Sequence, residues 1–160
     1  MAGTKRRPGR IWGKGGWASM ITGIGHAAYG VSDLERSLKW YVDGLGLREA
    51  FRLNNDKGET RIVYLQVRGA DFLELFPDRN VQPGRPPAGS SYRHLCLVVD
   101  DLGATLAELE ARGVRADGPS RVGRDHNAQA WLTDPDGNRI ELMQIAADSP
   151  QAAAAASHPA

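Results

Sequence analysis

Four side chains stand out for the chemistry their types allow: His26, Glu74, His94 and Glu141. The step from position 26 to 74 is 48 residues, and from 94 to 141 it is 47. Each glutamate interrupts an apolar run, Phe72-Leu73-Glu74-Leu75-Phe76 and Arg139-Ile140-Glu141-Leu142-Met143. Side chains alternate along an extended chain, so Glu74 shares a face with Phe72 and Phe76, and Glu141 with Arg139 and Met143. A carboxylate left unpaired in such surroundings is costly or takes up a proton. A divalent metal removes that cost. Two imidazoles and two carboxylates form a mixed N/O set suited to one Ni²⁺, Co²⁺, Zn²⁺, Fe²⁺ or Mn²⁺ ion, and octahedral coordination leaves two positions for water or substrate. One glutamate on a strand face needs no such explanation. The matched recurrence of His and Glu singles these residues out, in a chain with 4 histidines. The other two, His126 in Arg124-Asp125-His126-Asn127 and His158, are read as non-ligands, with His126 able to border the pocket.

The elements that must position these groups also repeat. Each of His26 and His94 precedes an Asp-Leu pair by seven residues, Asp33-Leu34 and Asp101-Leu102. Leu34, Leu38, Tyr41, Val42 and Leu45 keep helical spacing until Gly44 and Gly46; Leu102, Leu106, Leu109 and Ala111 do so until Gly113. Asp33, and Asp100 or Asp101, are suited to cap these helices. Three extended segments follow each: Arg48–Leu53, Arg61–Val67 and Asp71–Phe76, then Val114–Ala116, Ala128–Thr133 and Asn138–Ile145. Arg68-Gly69-Ala70 and Asp134-Pro135-Asp136-Gly137 supply the tight turns between the last two strands of each set. The expectation is an α+β fold of two paired βαβββ modules forming a curved mixed sheet, the glutamates on its concave face. Module one spans 21–80, a Pro- and Gly-rich linker 81–90, and module two 91–146; together they form one domain over 21–146. Halves of this size are marginal alone, which favours pairing.

Composition narrows the functional classes. Twenty basic and 19 acidic residues give a net charge of +1, no strong field for nucleic acid. No stretch approaches the roughly 18 apolar residues of a membrane span. One cysteine, Cys96, excludes an internal disulfide and fits a reducing cytoplasm. Residues 1–20 hold five basic residues and no acid, and are expected to be a disordered leader without a role of its own. Arg6-Arg7 is not followed by the apolar run of an export signal. The Ala-rich 147–160 is expected to be a disordered tail, since a helix that short is marginal alone.

The repeat and its closing Asp134-Pro135-Asp136-Gly137-Asn138-Arg139-Ile140-Glu141-Leu142 resemble the vicinal-oxygen-chelate superfamily, the glyoxalase I, bleomycin-resistance and extradiol-dioxygenase group. Asp33-Leu34-Glu35-Arg36-Ser37-Leu38-Lys39-Trp40-Tyr41 and Gly44-Leu45-Gly46-Leu47 are similar to its first helix and exit. The resemblance covers roughly Ile21 to Ile145 and is far more specific for fold than for reaction. Within it, His26, Glu74, His94 and Glu141 match glyoxalase I in all four ligand types. Epimerases of the group carry Gln in place of Glu74, dioxygenases use two His and one carboxylate, and sequestering members generally lack the ligands.

The resemblance implies a cytoplasmic, homodimeric, metal-dependent lactoylglutathione-lyase-like isomerase for methylglyoxal detoxification. Its small-molecule substrate is the hemithioacetal of a 2-oxoaldehyde and a thiol. Glu141 is implied as the base, with Glu74 acting from the other face. Gly30 and Asp78 stand where glyoxalase I carries an Arg and an Asn for glutathione, which argues against that thiol. Arg36, Arg52, Arg61 and Arg93 are the replacement cations to consider, and Phe51, Phe72, Tyr92 and Trp131 the apolar wall. The alternatives are another metalloenzyme of the group (an epimerase, an extradiol-type dioxygenase or a thiol transferase for an antibiotic) or a non-enzymatic sequestering protein.

Overall fold

The alternation that turns Glu74 and Glu141 to one side of their strands turns branched side chains to the other. Val63, Leu65, Leu73 and Leu75 of the first repeat and Ala130, Leu132, Ile140 and Leu142 of the second are buried there, with Leu38, Tyr41, Leu102 and Leu109 from the helices packed on them. Each Val, Leu or Ile among them contributes about 1.5–3 kcal/mol when fully buried. The computed structural model describes residues 23–84 and 91–157.

Module one runs β1 (His26–Val31), α1 (Leu34–Leu38), β2 (Arg48–Asn54), β3 (Thr60–Arg68) and β4 (Asp71–Pro77). Module two runs β5 (Leu95–Val98), α2 (Leu102–Ala111), β6 (Arg121–Val122), β7 (Ala128–Thr133) and β8 (Arg139–Gln144). Both helices begin as expected: Asp33 and Asp101 accept from the amides of Arg36 and Ala104. After α1 the chain winds wider, as a π-helical turn over Lys39–Gly44.

The two sheets have orders β1-β4-β3-β2 and β5-β8-β7-β6. In each, the first strand of the module lies parallel to the last, and the other pairings are antiparallel. The α+β class and the paired modules thus stand. The curved sheet is divided into two mixed four-stranded sheets, and β1 and β5 each have a strand on one side only among the described residues.

The modules meet at the turn before β8. Asp134 receives the Tyr41 hydroxyl at 2.8 Å, and the Asp136 and Asn138 amides at 2.9 and 2.7 Å. Asp136 receives Ser32, Ser37 and the Arg36 guanidinium from the start of module one's helix. Gly137 takes φ +89, a conformation that a side chain disfavours. At Gly44 a Cβ would lie 2.6 Å from Val114 Cγ2, so glycine is what lets the modules close here.

Two expectations change. Val114–Ala116 is not a strand; Val114 is buried against module one, and the short β6 pairs with β7 instead. The tail expected to be disordered forms α3 (Pro150–Ser157). Ser149 Oγ accepts the Ala152 amide at 3.1 Å, and Asn127 donates to Gln151 at 3.3 Å, so a cap and a tertiary contact supply what five alanines alone lack. The expected leader lies outside the described residues, as does most of the linker.

Candidate metal centre

The glutamates sit at the centres of their sheets. Glu74 on β4 lies between Ala28 of β1 and Tyr64 of β3; Glu141 on β8 lies between Cys96 of β5 and Trp131 of β7. They are 4% and 6% exposed. Each meets the histidine of its own module: His26 Nε2 is 3.4 Å from Glu74 Oε2, and His94 Nε2 is 2.9 Å from Glu141 Oε2. The repeat read in the sequence is therefore a repeat of geometry.

Aromatic rings hold both pairs in place. Tyr64 meets His26 edge-on at 6.3 Å and stacks on Phe51 at 4.2 Å, with Phe72 edge-on at 6.2 Å. Trp131 meets His94 edge-on at 4.9 Å and carries the Arg139 guanidinium 4.2 Å from its ring centre. Phe51, Phe72 and Trp131 thus lie beside the His–Glu pairs. Tyr92 instead hydrogen-bonds Tyr29. Arg36 is engaged by Ser32 and Asp136, and Arg52 by Glu49, so both cations are committed elsewhere. Arg61 and Arg93 are exposed.

Two residues that sequence reasoning missed stand directly across from the carboxylates, Tyr64 from Glu74 and Cys96 from Glu141. The Glu74 carboxylate beside it holds the Tyr64 phenol above its ordinary range. Burial first, and the Glu141 carboxylate second, push the Cys96 thiol up to about 11. Strand alternation placed both on the glutamate faces, but neither is a metal-ligand signal in that context. His126 pairs with Asp148 at 3.4 Å in an exposed loop, and His158 lies outside the described residues.

Among the described residues no group of three or more His, Cys, Asp or Glu gathers into one cluster. The four candidates are brought together two by two, not four at once. Each pair nevertheless fits a metal. Ligand atoms about 2.1 Å from an ion lie about 3 Å apart when they occupy neighbouring positions, the spacing that both pairs keep. Buried carboxylates facing imidazoles on an otherwise open sheet face supply the oxygen and nitrogen donors that borderline divalent ions take.

Duplicated βαβββ modules, each presenting one His from the start of its first strand or the residue just before it and one Glu from its last strand, define a vicinal-oxygen-chelate domain. The family model for the Glyoxalase/Bleomycin resistance protein/Dioxygenase superfamily matches residues 23–142, and the chain belongs to that superfamily. The chain is 31% identical over 123 residues to lactoylglutathione lyase of Haemophilus influenzae, covering 74% of this chain and 90% of that protein. It is 29% identical over 125 residues to lactoylglutathione lyase of Neisseria meningitidis serogroup A, covering 74% and 88%. Among solved structures, a glyoxalase family protein from Enterococcus faecalis superposes with a TM-score of 0.66 at 26% identity, covering 78% of this chain and 99% of that one.

Proposed function

We propose that the protein is a divalent-metal-dependent glyoxalase I-like lyase. It would isomerise the hemithioacetal of a 2-oxoaldehyde such as methylglyoxal and a thiol. The observation that carries this reading is the matched pair of His–Glu contacts, one per module. Relatives that bear the lactoylglutathione lyase name support it.

His26 and Glu74 would hold the metal from one side, and His94 and Glu141 from the other, in a homodimer that sets module one of one chain against module two of its partner. Three features favour that assembly. Among the described residues the pairs stay apart in one chain, β1 and β5 each have a free edge, and Phe51, Leu53 and Val98 are exposed on the glutamate faces. The ion, one of Ni²⁺, Co²⁺, Zn²⁺, Fe²⁺ or Mn²⁺, supplies a Lewis acid that stabilises the negative charge developed when the substrate C–H ionises. Glu141 takes that proton and returns it to the neighbouring carbon, so the carboxylate ends as it began. Phe51, Phe72 and Trp131 keep water from the faces where this happens.

Asp78 bears on the thiol. A Cβ at position 30 would lie 3.0 Å from Val81 and 3.8 Å from Asp78 Oδ2. An arginine has little room there, and the Asp78 carboxylate would repel the carboxylate of a glutathione glycine, so a thiol other than glutathione is favoured. The lone free thiol fits a cytoplasmic setting, and no helix among the described residues is long and apolar enough to cross a membrane.

The test is an assay of purified protein loaded with each metal, given methylglyoxal and several thiols, with thioester formation as the readout. Stoichiometric metal and turnover with at least one thiol are expected. Protein that takes up no metal overturns the reading, as does metal-loaded protein inert with every thiol.

A further inference from the structure

The seam between the modules encloses a cleft on the helix side of the sheets, with a volume of about 250 Å³. None of its lining residues belongs to a strand, so it lies apart from the glutamate faces. Three cations line it: Arg36 of α1, Lys39 at the start of the π-helical turn, and Arg112 at the end of α2. Asp43 is the one carboxylate on the lining among the described residues. Lys39 makes no ion pair among those residues. Arg36 Nη2 donates to Asp136 at 3.1 Å and Arg112 Nη2 donates to Glu108, which occupies one nitrogen of each fork; neither carboxylate is part of the lining. Like charges gathered on one small cavity repel one another, and an anion of more than one charge relieves that.

The walls are fixed in advance. The Trp40 ring stands edge-on to the buried Tyr41 ring at 4.7 Å, and the Tyr41 hydroxyl donates to Asp134, beside the lining residue Pro135. Gly46 makes room for Arg112, because a Cβ there would lie 2.7 Å from Arg112 Nη1. The π-helical turn supplies Lys39, Trp40 and Asp43, and turns wound wide in this way recur at functional sites. A preformed cleft with an apolar wall and a few convergent polar groups is the usual form of a small-molecule site, and this volume lies just below the roughly 300 Å³ at which drug-sized ligands begin.

We propose that this cleft is a second ligand site, built for a small hydroxylated phosphate monoester. Arginine forks pair with phosphate oxygens two at a time, and the Lys39 ammonium adds a point charge. A dianionic phosphate answers three cations better than a single carboxylate does. The short carbon body lies against Trp40 and Val114, and Asp43 accepts one of its hydroxyls. The lining comes from both modules, so the ligand ties them together without touching the His–Glu pairs. The site does not depend on the metal centre.

The experiment is calorimetric titration of the full-length protein with glycerol 3-phosphate, inorganic phosphate, glycerol and succinate in turn, repeated on Lys39→Ala, Arg112→Gln and Asp43→Ala. The wild type should bind one glycerol 3-phosphate per chain, inorganic phosphate more weakly, and neither glycerol nor succinate measurably. Lys39→Ala and Arg112→Gln should each lose about tenfold or more in affinity for glycerol 3-phosphate, the scale of a hydrogen bond to a charged group. Asp43→Ala should narrow the gap between glycerol 3-phosphate and inorganic phosphate. All three residues are exposed, so the unliganded variants should melt close to wild type, and a lost signal then reports the site and not the fold. No saturable binding of glycerol 3-phosphate by the wild type overturns the proposal. So does binding that survives unchanged in both Lys39→Ala and Arg112→Gln, which places the anion elsewhere on the molecule. Succinate held as tightly as glycerol 3-phosphate overturns the assignment to a phosphate ester.

Discussion

Module one and module two build the same His–Glu pair on hairpins of different regularity. In module two, β7 and β8 keep one register throughout, from Thr133 opposite Arg139 to Ala128 opposite Gln144. The Asp134–Gly137 turn sets that register, and its two aspartates are buried against module one. In module one the β3–β4 hairpin slips between Gln66 and Arg68, so that Tyr64 faces Glu74. One carboxylate rides on a regular hairpin anchored to the neighbouring module. The other rides on a bulged hairpin that sets Tyr64 across from it. Duplication supplied two matched His–Glu pairs set in turns and registers that differ, and in the proposed function Glu141 takes the proton while Glu74 holds the metal.

The largest effect should come from breaking that division at the carboxylates. Glu141→Gln keeps the shape and one ligand oxygen but cannot accept a proton. We expect turnover to fall by about 10²-fold or more, equivalent to about 2.7 kcal/mol, while much of the metal is retained. Glu74→Gln should instead lose more metal for each unit of activity lost. Parallel metal analysis and steady-state kinetics check both. Turnover abolished in Glu74→Gln and near wild type in Glu141→Gln reverses the two roles.

The next effect tests the link between modules. Asp136→Ala removes the acceptor of Ser32, Ser37 and Arg36. Arg36 is exposed enough that its ion pair contributes little. The buried donors left without a partner carry the cost, about 2–3 kcal/mol, or a Tm lower by roughly 5–10 °C. Thermal melting measures it. An unchanged Tm means that apolar packing alone holds the modules together.

A smaller effect has a defined pH signature. Burial, with the Asp134 charge beside it, raises the Tyr41 phenol far above its ordinary 10.0. Burial raises Tyr29 as well. A group whose pKa is raised by folding contributes stability that is complete below its unfolded value and is lost as pH rises past it. The protein should therefore lose stability above about pH 10 more steeply than exposed tyrosines would cause. Tyr41→Phe should cost about 1 kcal/mol at neutral pH, because Asp134 keeps its backbone donors, and should flatten the alkaline decline. Denaturant midpoints between pH 8 and 11 decide it.

The same contrast explains how much of the molecule was legible in the sequence. Strand alternation, the caps at Asp33 and Asp101 and the Asp-Pro-Asp-Gly turn are local, and they were enough to place His26, Glu74 and Glu141 on β1, β4 and β8, and His94 at the entry to β5. Trp131 could be nominated for the wall, and its place opposite Glu141 follows from a regular hairpin. Tyr64 could not be placed: pairing outward from the Arg68–Asp71 step without a bulge sets Leu65, not Tyr64, opposite Glu74. The bulge that corrects this carries no plain residue signal. The buried roles of Asp134 and Asp136 were hidden for another reason. They read as turn residues, and their partners lie 93 to 104 positions away in module one.

The smallest effect concerns an element that module two has and module one lacks. Five consecutive alanines give α3 propensity but too little length to be stable alone, so its folding must be bought by neighbours. Two neighbours are visible. Ser149, itself buried, caps the first turn at the Ala152 amide, and Asn127 reaches Gln151 while its carbonyl oxygen accepts the Ala146 amide at 2.9 Å. None of the α3 side chains is buried, so the helix stabilises little beyond itself. Ser149→Ala should therefore cost about 0.5–1 kcal/mol, expressed as faster amide exchange across 150–157 with hardly any change in global Tm. Asn127→Ala should do more, because Asn127 also ties the chain leaving β8 to the loop before β7. If Ser149→Ala lowered the global Tm as far as Asp136→Ala, α3 would be an integral part of module two, and the two modules would differ in architecture as well as in the regularity of the hairpins that carry their glutamates.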